Sequence, residues 1–407
     1  MLPVQQFLET HTFDQLFLEH GVEVSFSKSG HKFSLNYSMI DSKDTDQLSN
    51  QCRGLILATL DGRSLNDQAI LKNGRLSFND VCPGQTLVLA RPMDRFFNYG
   101  MGACAEIDWS DKALAILEKL DGSLCIVYFD IVSNQYCVAT RSCPEADLLM
   151  DNQLFTFRGL FEKALKETCN MSFDKYTKLL DKSLTYSFEL CTPLNRVVCD
   201  YPNYSITLIA ARQINNGESG EELDIHHVLS FGVPKVQQYA YSSIKDLVSW
   251  VQTFSPLVQE GIVIRDSKFN RVKLKSSAYV AMHRLNDSLG SSPRNCLELI
   301  LLGQDDDSLP FLPKEIADNL LSIKEKYRVW LHKQETLYLE VLKEANSILP
   351  NDKKTFALTL NNYKEAYRPA FFNVFSNKAT SIKNFIELCR KEGTWSSSFL
   401  DNILSLI

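Results

Sequence analysis

The feature that most constrains the fold is a change in the hydrophobic pattern at about residue 285. Before it, short apolar runs alternate with Gly, Asp, Asn and Ser turns, which is the pattern of β-strands. One run lies around Leu55, and the others cover residues 124–131, 185–191, 205–212, 261–266 and 270–276. After it, apolar residues recur at every third or fourth position, the period of an α-helix. We therefore predict two parts of different architecture, residues 1–285 and 286–407.

Two helical patterns interrupt the strands of the first part. One covers residues 146–166, and the other starts at Ser242 or Ser243 and continues to Val251. Serine is a favoured residue directly before a helix, and the apolar residues that follow fall on one helical face. Mixed strands and helices of this kind favour an α+β domain that is built on antiparallel sheets.

The second part is predicted to be a small all-α domain. Its helical period covers residues 313–348, and further helices are expected at about 380–391 and from Ser397. Two stretches rich in Gly, Ser, Asp and Pro, residues 288–295 and 303–313, have the composition of loops or linkers. We therefore expect the two domains to be separated near these stretches.

Composition and charge exclude several classes of protein. The chain has 407 residues and a net charge of −6, which argues against a generally basic nucleic-acid coat but permits a local basic groove. Eleven cysteines are present without a CxxC pair, which indicates reduced thiols rather than a zinc site. No apolar run is long enough to span a membrane, and the N-terminus lacks the basic segment of a signal peptide. We expect an intracellular protein, cytoplasmic or nuclear, in the host cytoplasm if the source is viral.

The strongest local signal for chemistry is Lys119-Leu120-Asp121-Gly122-Ser123, which an apolar run follows directly. A lysine before a tight Asp-Gly turn is held on a rigid element. Its amine attacks phosphorus only when it is deprotonated, and nearby cations, a bound metal and desolvation each lower a lysine pKa. On its own, this short motif fits an ordinary surface turn better than a nucleophile.

Four further charged residues favour the interpretation of Lys119 as a nucleophile over that of a surface turn. Glu189 lies within a predicted strand, and Glu260 directly precedes another. Lys273 and Lys275 are two residues apart in a third strand, so their side chains point to the same face. Two lysines and two carboxylates are costly to bury without partners. A polyphosphate together with a divalent metal would satisfy all four.

In this order and at these spacings, the motifs resemble those of the covalent nucleotidyltransferases: DNA ligases, RNA ligases and mRNA capping enzymes. The chain is most similar to the T-even-phage RNA ligase 1 family. The resemblance rests on CRGLIL (52–57), RPMDRFFN (91–98), KLDGSL (119–124), FELCTPLNRVV (188–198), EGIVIRD (260–266) and VKLKS (272–276), and more weakly on SLNYS (34–38). It covers about residues 30–285. It implies an ATP-grasp-like nucleotidyltransferase domain of antiparallel sheets, followed by an all-α C-terminal domain.

The activity that the resemblance implies is ATP-dependent RNA ligation in three metal-assisted steps. A lysine attacks the α-phosphate of ATP, AMP passes to an RNA 5′-phosphate, and an RNA 3′-hydroxyl attacks that activated end. The implied cofactors are ATP and Mg²⁺, with Mn²⁺ as an alternative metal. The implied partner is RNA with 3′-OH and 5′-phosphate ends, such as nicked transfer RNA, and a separate end-healing kinase–phosphatase would supply those ends. We expect the helical domain to recognise this RNA.

The resemblance also implies roles for individual residues in the transfer of AMP. Lys119 would form the phosphoamide with AMP. Lys273 and Lys275 would hold the α-phosphate and stabilise charge in the transition state, which is a role of positioned cations. Glu189 would face the ribose.

The remaining residues implied by the resemblance would organise the metal and the phosphates. Asp121 and Glu260 would hold the metal and its waters, and Arg53 would orient the phosphates and later the donor RNA. Arg95 stands where the family usually has a lysine, and Arg141 stands at a basic position near the triphosphate. Arginine keeps the charge and contacts phosphate in a bidentate manner, but it is not a neutral replacement for lysine.

Three alternatives share parts of this pattern. A DNA ligase and a capping guanylyltransferase carry the same lysine motif, but both normally have a β-rich oligonucleotide-binding module after the region that matches VKLKS. Here the following region has a helical pattern. A catalytically inactive RNA-binding protein is disfavoured because the lysines and glutamates of all the motifs are present.

Overall fold

A computed structural model describes the chain except for residues 39–40, 73–74, 148–154, 242, 287–291, 303–308, 310–311, 313, 392–396 and 406–407. The chain forms two compact units. The first comprises Met1–Phe254 and Val258–Lys275, and the second comprises Ser255–Leu257 and Ser276–Ile407. The change of unit therefore falls at Ser276 rather than at residue 285, because the helix that begins at Ser277 packs within the second unit.

The first unit is built mainly from antiparallel strands. They are β1 (Val22–Phe26), β2 (Lys32–Tyr37), β3 (Arg53–Thr59), β4 (Ile70–Lys72), β5 (Arg75–Ser77), β6 (Thr86–Ala90), β7 (Phe97–Asn98), β8 (Ala115–Lys119), β9 (Ser123–Asp130), β10 (Gln135–Thr140), β11 (Leu184–Cys191), β12 (Ser205–Asn215), β13 (Glu218–Leu223), β14 (Gln238–Tyr239), β15 (Gly261–Arg265) and β16 (Arg271–Lys275). The runs from which the sequence predicted strands are β3, β9, β11, β12, β15 and β16, so those predictions are confirmed.

The described strands form three sheets and a two-stranded ribbon. The first sheet has the order β1-β2-β3-β6, the second β10-β9-β11-β12-β13 and the third β14-β8-β15-β16-β7, while β4 pairs with β5. Among these pairs, β16 with β7 is parallel. The mixed α/β class and the antiparallel sheets agree with the sequence prediction.

The helices of the first unit are α1 (Pro3–Leu8), α2 (Phe13–His20), α3 (Gln47–Asn50), α4 (Phe157–Cys169), α5 (Phe173–Thr177) and α6 (Ile244–Val251). Helix α6 follows Ser243, whose side chain caps it as predicted. The predicted helix 146–166 is wrong at its start, because Thr156 caps α4 by accepting the N–H of Gly159. The N–H of Ala146 donates instead to the carbonyl of Val138, and residues 148–154 lie outside the described part.

The main core of the first unit joins α4 to residues of the second and third sheets. Leu117 of β8, Val127 of β9, Phe161 of α4 and Phe188 of β11 are all buried in it. Each side chain of this size contributes about 1.5–3 kcal/mol when it is fully buried. This packing fixes β8, β9 and β11, the strands that carry or flank the lysine motif and Glu189.

The described residues of the second unit form helices and no strands. These helices are α7 (Ser277–Asn286), α8 (Pro293–Leu302), α9 (Lys314–Ile348), α10 (Lys353–Leu360), α11 (Arg368–Phe375), α12 (Ile382–Lys391) and α13 (Ser397–Leu404). The predicted period of residues 313–348 corresponds to α9, which buries Leu320, Ile323, Trp330 and Val341.

The two predicted linkers have different outcomes. Of the predicted linker 288–295, residues 288–291 lie outside the described part. The prediction is wrong for residues 293–295, because α8 begins at Pro293, a residue favoured in the first turn of a helix. The stretch 303–313 lies almost entirely outside the described residues. No helix in the part of the chain that the structure covers is long and apolar enough to cross a membrane.

Candidate active site

Lys119 is placed by the register of the third sheet. It ends β8 and lies opposite Gly261 of β15, and Gly261 in turn lies opposite Lys275 of β16. Directly opposed residues point to the same face of a sheet, so the two lysines flank Gly261 on one face. A Cβ on Gly261 would lie 2.2 Å from the carbonyl oxygen of Leu274, so no other residue fits here.

Glu260 bridges these two lysines. Its Oε2 lies 2.6 Å from Nζ of Lys119, and its Oε1 lies 2.6 Å from Nζ of Lys275. The glutamate itself is only 2% exposed. Burial lowers the pKa of Lys119, but the carboxylates of Glu260 and Glu189 outweigh this effect, so the pKa is raised. Lys119 therefore rests as an ammonium group held in position by Glu260.

Lys273 adds a third cation to the same face of β16. Its Nζ lies 5.0 Å from the ring centre of Phe96. Burial, together with repulsion by Lys119 and Lys275, lowers the pKa of Lys273 to about 7. The three lysines around the bridging carboxylate of Glu260 leave an excess of positive charge. Because isolated buried charge is costly, an anionic ligand would stabilise this site.

Hydrogen bonds of Asp121 and a close backbone approach at Gly122 hold the Asp-Gly turn after Lys119. The Oδ2 of Asp121 accepts the backbone N–H groups of Val198 at 2.8 Å and Cys199 at 2.7 Å, and its own N–H donates to the hydroxyl of Tyr201 at 3.1 Å. A Cβ on Gly122 would lie 2.3 Å from the carbonyl oxygen of Leu190. Asp121 is 4% exposed, and its Oδ2 positions the loop.

Glu189 lies on β11, opposite Leu124 of β9. Its Oε1 accepts the N–H of Gly122 at 3.0 Å, which joins this glutamate to the lysine motif. Burial raises the pKa of Glu189 to about 7, although the positive charges of Lys119 and Arg53 oppose that shift. The carboxyl group is therefore able to donate or accept a hydrogen bond near neutral pH.

A cavity beside Lys119 has a mostly apolar wall and a charged mouth. The apolar lining includes Met93, Phe96, Leu117, Leu120, Ile209, Val236 and Val263. Glu189, Arg53 and Arg271 also line it. An apolar slot with a few convergent polar groups is the usual form of a small-molecule site.

The predicted arginines lie near Tyr37. The guanidinium of Arg95 lies 4.3 Å from the centre of the Tyr37 ring, and that of Arg141 lies 5.4 Å from it. Arg95 also forms an ion pair with Asp44 at 2.7 Å. Burial lowers the pKa of Arg53, whose Nη1 is buried and has no hydrogen-bond partner among the described residues. The Nη1 group of Arg53 is therefore able to donate a hydrogen bond to a bound ligand.

Sequence reasoning missed several residues of the site. Tyr37 lies in the weakly matching SLNYS segment, so a signal for it was present. Phe96 lies in the matching RPMDRFFN segment beside Arg95, but its contact with Lys273 depends on the pairing of β7 with β16. Tyr201 had no sequence signal, because its hydroxyl reaches Asp121 only through the fold of the loop after β11.

The comparisons with known proteins identify the family of the chain. The RNA ligase family matches residues 51–279, more than half of the chain. The chain therefore belongs to the RNA ligase family, of the T-even-phage RNA ligase 1 type.

Among curated relatives, a protein of Autographa californica nuclear polyhedrosis virus that is named as a bifunctional polynucleotide kinase/RNA ligase is 27% identical over 291 residues. That match covers 69% of this chain and 37% of the viral protein, so the chain spans little more than a third of that relative. The RNA ligase of Rhodothermus phage RM378 is 25% identical over 338 residues, which cover 68% of this chain and 75% of the phage protein.

Solved structures give weaker similarity. An archaeal ATP-dependent RNA ligase is 14% identical with a TM-score of 0.42, and the match covers 82% of this chain and 83% of that one. An RNA ligase of Naegleria gruberi is 12% identical with a TM-score of 0.33, covering 65% of this chain and 97% of the other. Scores this low add nothing to the assignment that the family match provides.

Proposed function

We propose that the protein is an ATP-dependent RNA ligase that captures AMP on Lys119. The observation that carries this proposal is the cluster of the half-buried Lys119, Lys273 and Lys275 around the buried Glu260, directly beside an apolar cavity. A nucleoside triphosphate matches both features, with its base in the cavity and its phosphates against the lysines. Nucleotidyl transfer depends mainly on such positioning and charge neutralisation. Family membership supports RNA ends as the substrates.

The first step forms a bond between Nζ of Lys119 and the α-phosphorus and breaks the bond from that phosphorus to the oxygen of the β-phosphate, so that pyrophosphate leaves. Nζ must lose a proton, and Glu260 at 2.6 Å is in reach to accept it. Lys273 and Lys275 stabilise the negative charge that develops on the phosphate oxygens. AMP then passes to an RNA 5′-phosphate, and attack by an RNA 3′-hydroxyl releases it.

A divalent metal fits this site only in part. Within the described residues, no group of three His, Cys, Asp or Glu side chains is placed to hold a metal ion. Mg²⁺ commonly uses one or two carboxylates and takes its other ligands from waters and substrate phosphates. Both carboxylates already have partners, because Oδ2 of Asp121 accepts two N–H groups and the two oxygens of Glu260 bond to Lys119 and Lys275. Either one would exchange a contact to hold a metal. A bound Mg²⁺ or Mn²⁺ would neutralise phosphate charge.

The arginines differ in how well they suit the phosphates. Arg53 has a buried Nη1 that has no partner in the part of the chain that the structure describes, so a phosphate oxygen would complete its hydrogen bonds. Arg95 is held by Asp44 and Tyr37, and Arg141 contacts the Tyr37 hydroxyl at 3.5 Å. We therefore assign Arg53 to direct phosphate contact, and Arg95 and Arg141 to the outer phosphates beside Tyr37.

Labelled ATP or GTP, added with Mg²⁺ and without RNA, tests the first step. We expect acid-labile label on the protein from ATP and none from GTP. Label from GTP would indicate a capping guanylyltransferase, and no label from either would indicate an RNA-binding protein. Ligation of matched RNA and DNA strands then separates an RNA ligase from a DNA ligase.

We further propose that the helical second unit recognises the RNA. Two aromatic residues of these helices, Trp330 and Tyr367, are 3% and 5% exposed and pack against each other. They stabilise the helices, so recognition would fall to exposed cations such as Lys364. A chain that ends at Lys275 should still capture AMP but lose preference for a nicked stem-loop over a plain single strand. Retained preference would contradict this role.

The natural substrate that we propose is a broken RNA loop, such as a nicked transfer RNA. The viral relative is named as a kinase joined to an RNA ligase, which supports a kinase as the source of 5′-phosphate ends. We propose that an end-healing kinase–phosphatase supplies the 3′-OH and 5′-phosphate ends. Ligation rates on a panel of defined RNA breaks test this, and equal rates on all of them would contradict a preference for broken loops.

A further inference from the structure

A second and larger cavity of the first unit is not explained by the capture of AMP. Its volume is about 800 Å³, which is within the range of pockets that hold small molecules. It lies between the turn that joins β15 to β16 and the segment that contains α3. Phe96 and Arg271 line both this cavity and the one beside Lys119, so the two are neighbours.

The charge of this cavity is opposite in sign to that of the whole chain. Its lining contains five basic side chains and two acidic ones: Arg91, Arg95, Arg212, Lys268 and Arg271, with Asp94 and Glu222. The chain as a whole has a net charge of −6. A local excess of arginine and lysine in an acidic protein indicates a ligand that carries phosphate.

Two buried side-chain oxygen atoms in the wall of this cavity are able to accept hydrogen bonds from a ligand. Asn50 Oδ1 and Gln51 Oε1 have no hydrogen-bond partner within the part of the chain that the structure describes. The Nδ2 of Asn50 donates to the carbonyl of Asp44 at 2.8 Å, which fixes the orientation of that amide. Gln51 is 6% exposed. Since buried polar groups are normally paired, these acceptors indicate a ligand with hydroxyl or amino groups.

Phe269, at the turn between β15 and β16, has an unusual backbone. Its φ is +62°, a conformation that costs energy for a bulky residue. Asp266 holds the turn by accepting the N–H groups of Lys268 at 3.0 Å and Asn270 at 2.9 Å. The strained turn keeps the Phe269 ring at the cavity, where an aromatic face offers stacking to a base.

The position of the cavity suits a strand that continues from the reacting end. Arg271 and Lys275 share one face of β16 and are four residues apart, which corresponds to about 13 Å along a strand. That distance spans a few nucleotides at about 3.4 Å per stacked nucleotide.

We propose that this cavity binds ribonucleotides of the RNA strand near the reacting end and distinguishes RNA from DNA. Lys268 contacts a phosphate, the paired arginines supply a positive potential, and a 2′-hydroxyl donates to Gln51 or Asn50. The 2′-hydroxyl is the group by which a protein tells RNA from DNA at a given site. The proposal deepens the proposed ligase function and rests on it for the identity of the strand.

The test uses the full chain and two variants of residues outside the AMP site. Fluorescence anisotropy measures the binding of a labelled RNA tetranucleotide and of its DNA counterpart to the wild type, Gln51→Met and Lys268→Ala. Lys268 is exposed, so its variant is expected to fold. Lys245→Ala removes the same charge from the exposed face of α6 and is the matched control. AMP capture without RNA is measured for every variant.

We expect Gln51→Met to weaken RNA binding about tenfold and to leave DNA binding unchanged, because only RNA loses a hydrogen bond. Lys268→Ala should weaken RNA and DNA alike, by about three- to tenfold, as the loss of a phosphate contact does. Lys245→Ala should bind like the wild type, and AMP capture should persist in all three.

Several results would overturn the proposal. An unchanged preference for RNA in Gln51→Met, together with wild-type binding by Lys268→Ala, would show that the cavity binds no RNA. AMP capture that falls in parallel with RNA binding would assign the cavity to ATP. Absence of AMP capture in every protein, with the RNA preference intact, would instead contradict the ligase function and support the cavity as an RNA site.

Discussion

Two buried carboxylates of the first unit lie in similar surroundings and have different consequences. Each is bonded to two cations, one of which comes from β16. We call them the lysine cluster (Glu260 with Lys119, Lys275 and the adjacent Lys273) and the arginine cluster (Glu222 with Arg212 and Arg271). Both clusters bury charge, but only the lysine cluster borders on the KLDG turn.

The difference between the clusters follows from the two kinds of cation. Arginine does not lose its proton in proteins, so the arginine cluster keeps fixed charges that join β12, β13 and β16. A buried lysine titrates readily, and burial with repulsion lowers the pKa of Lys273 to about 7. Within the lysine cluster, Lys273 is therefore able to lose its charge near neutral pH, while Lys119 and Lys275 stay paired with Glu260.

The largest expected effect is the loss of AMP capture in Lys119→Arg. Arginine keeps the positive charge and the ion pair with Glu260, but its guanidinium is not a nucleophile near neutral pH. Label from ATP should fall below detection, while circular dichroism stays that of the wild type. Lys112→Arg, the same change outside the site, should retain full labelling. Labelled Lys119→Arg would show that another residue carries AMP.

Loss of a positioned cation should have the next largest effect. Lys275→Ala leaves Glu260 bonded to Lys119 but removes a charge from the face where the α-phosphate is expected. The rate of pyrophosphate release should fall by about 10²–10³, the usual effect of losing one such group. Lys245→Ala should keep the wild-type rate. A rate within threefold of the wild type would mean that Lys275 does not contact the phosphate.

The sequence predicted the lysine cluster because its members lie in short motifs whose spacing is set by single strands. Lys273 and Lys275 share a face through simple alternation, and the structure pairs Lys275 with Glu260. The arginine cluster was not predictable in this way. Arg212, Glu222 and Arg271 come from three strands and meet only through pairing between strands and packing between sheets.

Fold prediction had the same limits. The positions of strands such as β9 and β15 could be predicted because each strand is marked by its own apolar run and by the turn residues beside it. The start of α4 could not be predicted in this way. Residues 146–147 have a composition that is compatible with a helix, but the backbone N–H of Ala146 donates to β10 instead. The position of Ser276 as the unit boundary depends on how α7 packs, which periodicity alone does not report.

Removal of Arg271 should lower stability more than removal of Lys275, because the loss of Lys275 also relieves its repulsion of Lys273. Arg271→Met leaves Glu222, which is 8% exposed, with Arg212 as its one remaining ion-pair partner among the described residues. Breaking a buried ion pair costs about 3–5 kcal/mol, and the remaining arginine should keep the loss near the lower figure, at about 3 kcal/mol. Urea unfolding measures this, with Lys275→Ala as the comparison. Equal stability of the two variants would remove the distinction between the clusters.

The smallest expected effect is a pH-dependent gain of stability in Lys273→Met. The pKa of Lys273 is lowered to about 7 in the folded protein from the 10.5 of an ordinary lysine, so between these values the unfolded chain binds a proton that the folded chain does not. Stability of the wild type therefore rises with pH across that window, relative to a variant without the amine. The variant should unfold at a higher temperature than the wild type at pH 6, and the difference should shrink towards pH 10. Its AMP capture should be reduced at every pH. A difference in melting temperature that stays constant from pH 6 to pH 10 would show that Lys273 keeps an ordinary pKa, and that the excess charge of the lysine cluster does not act on it.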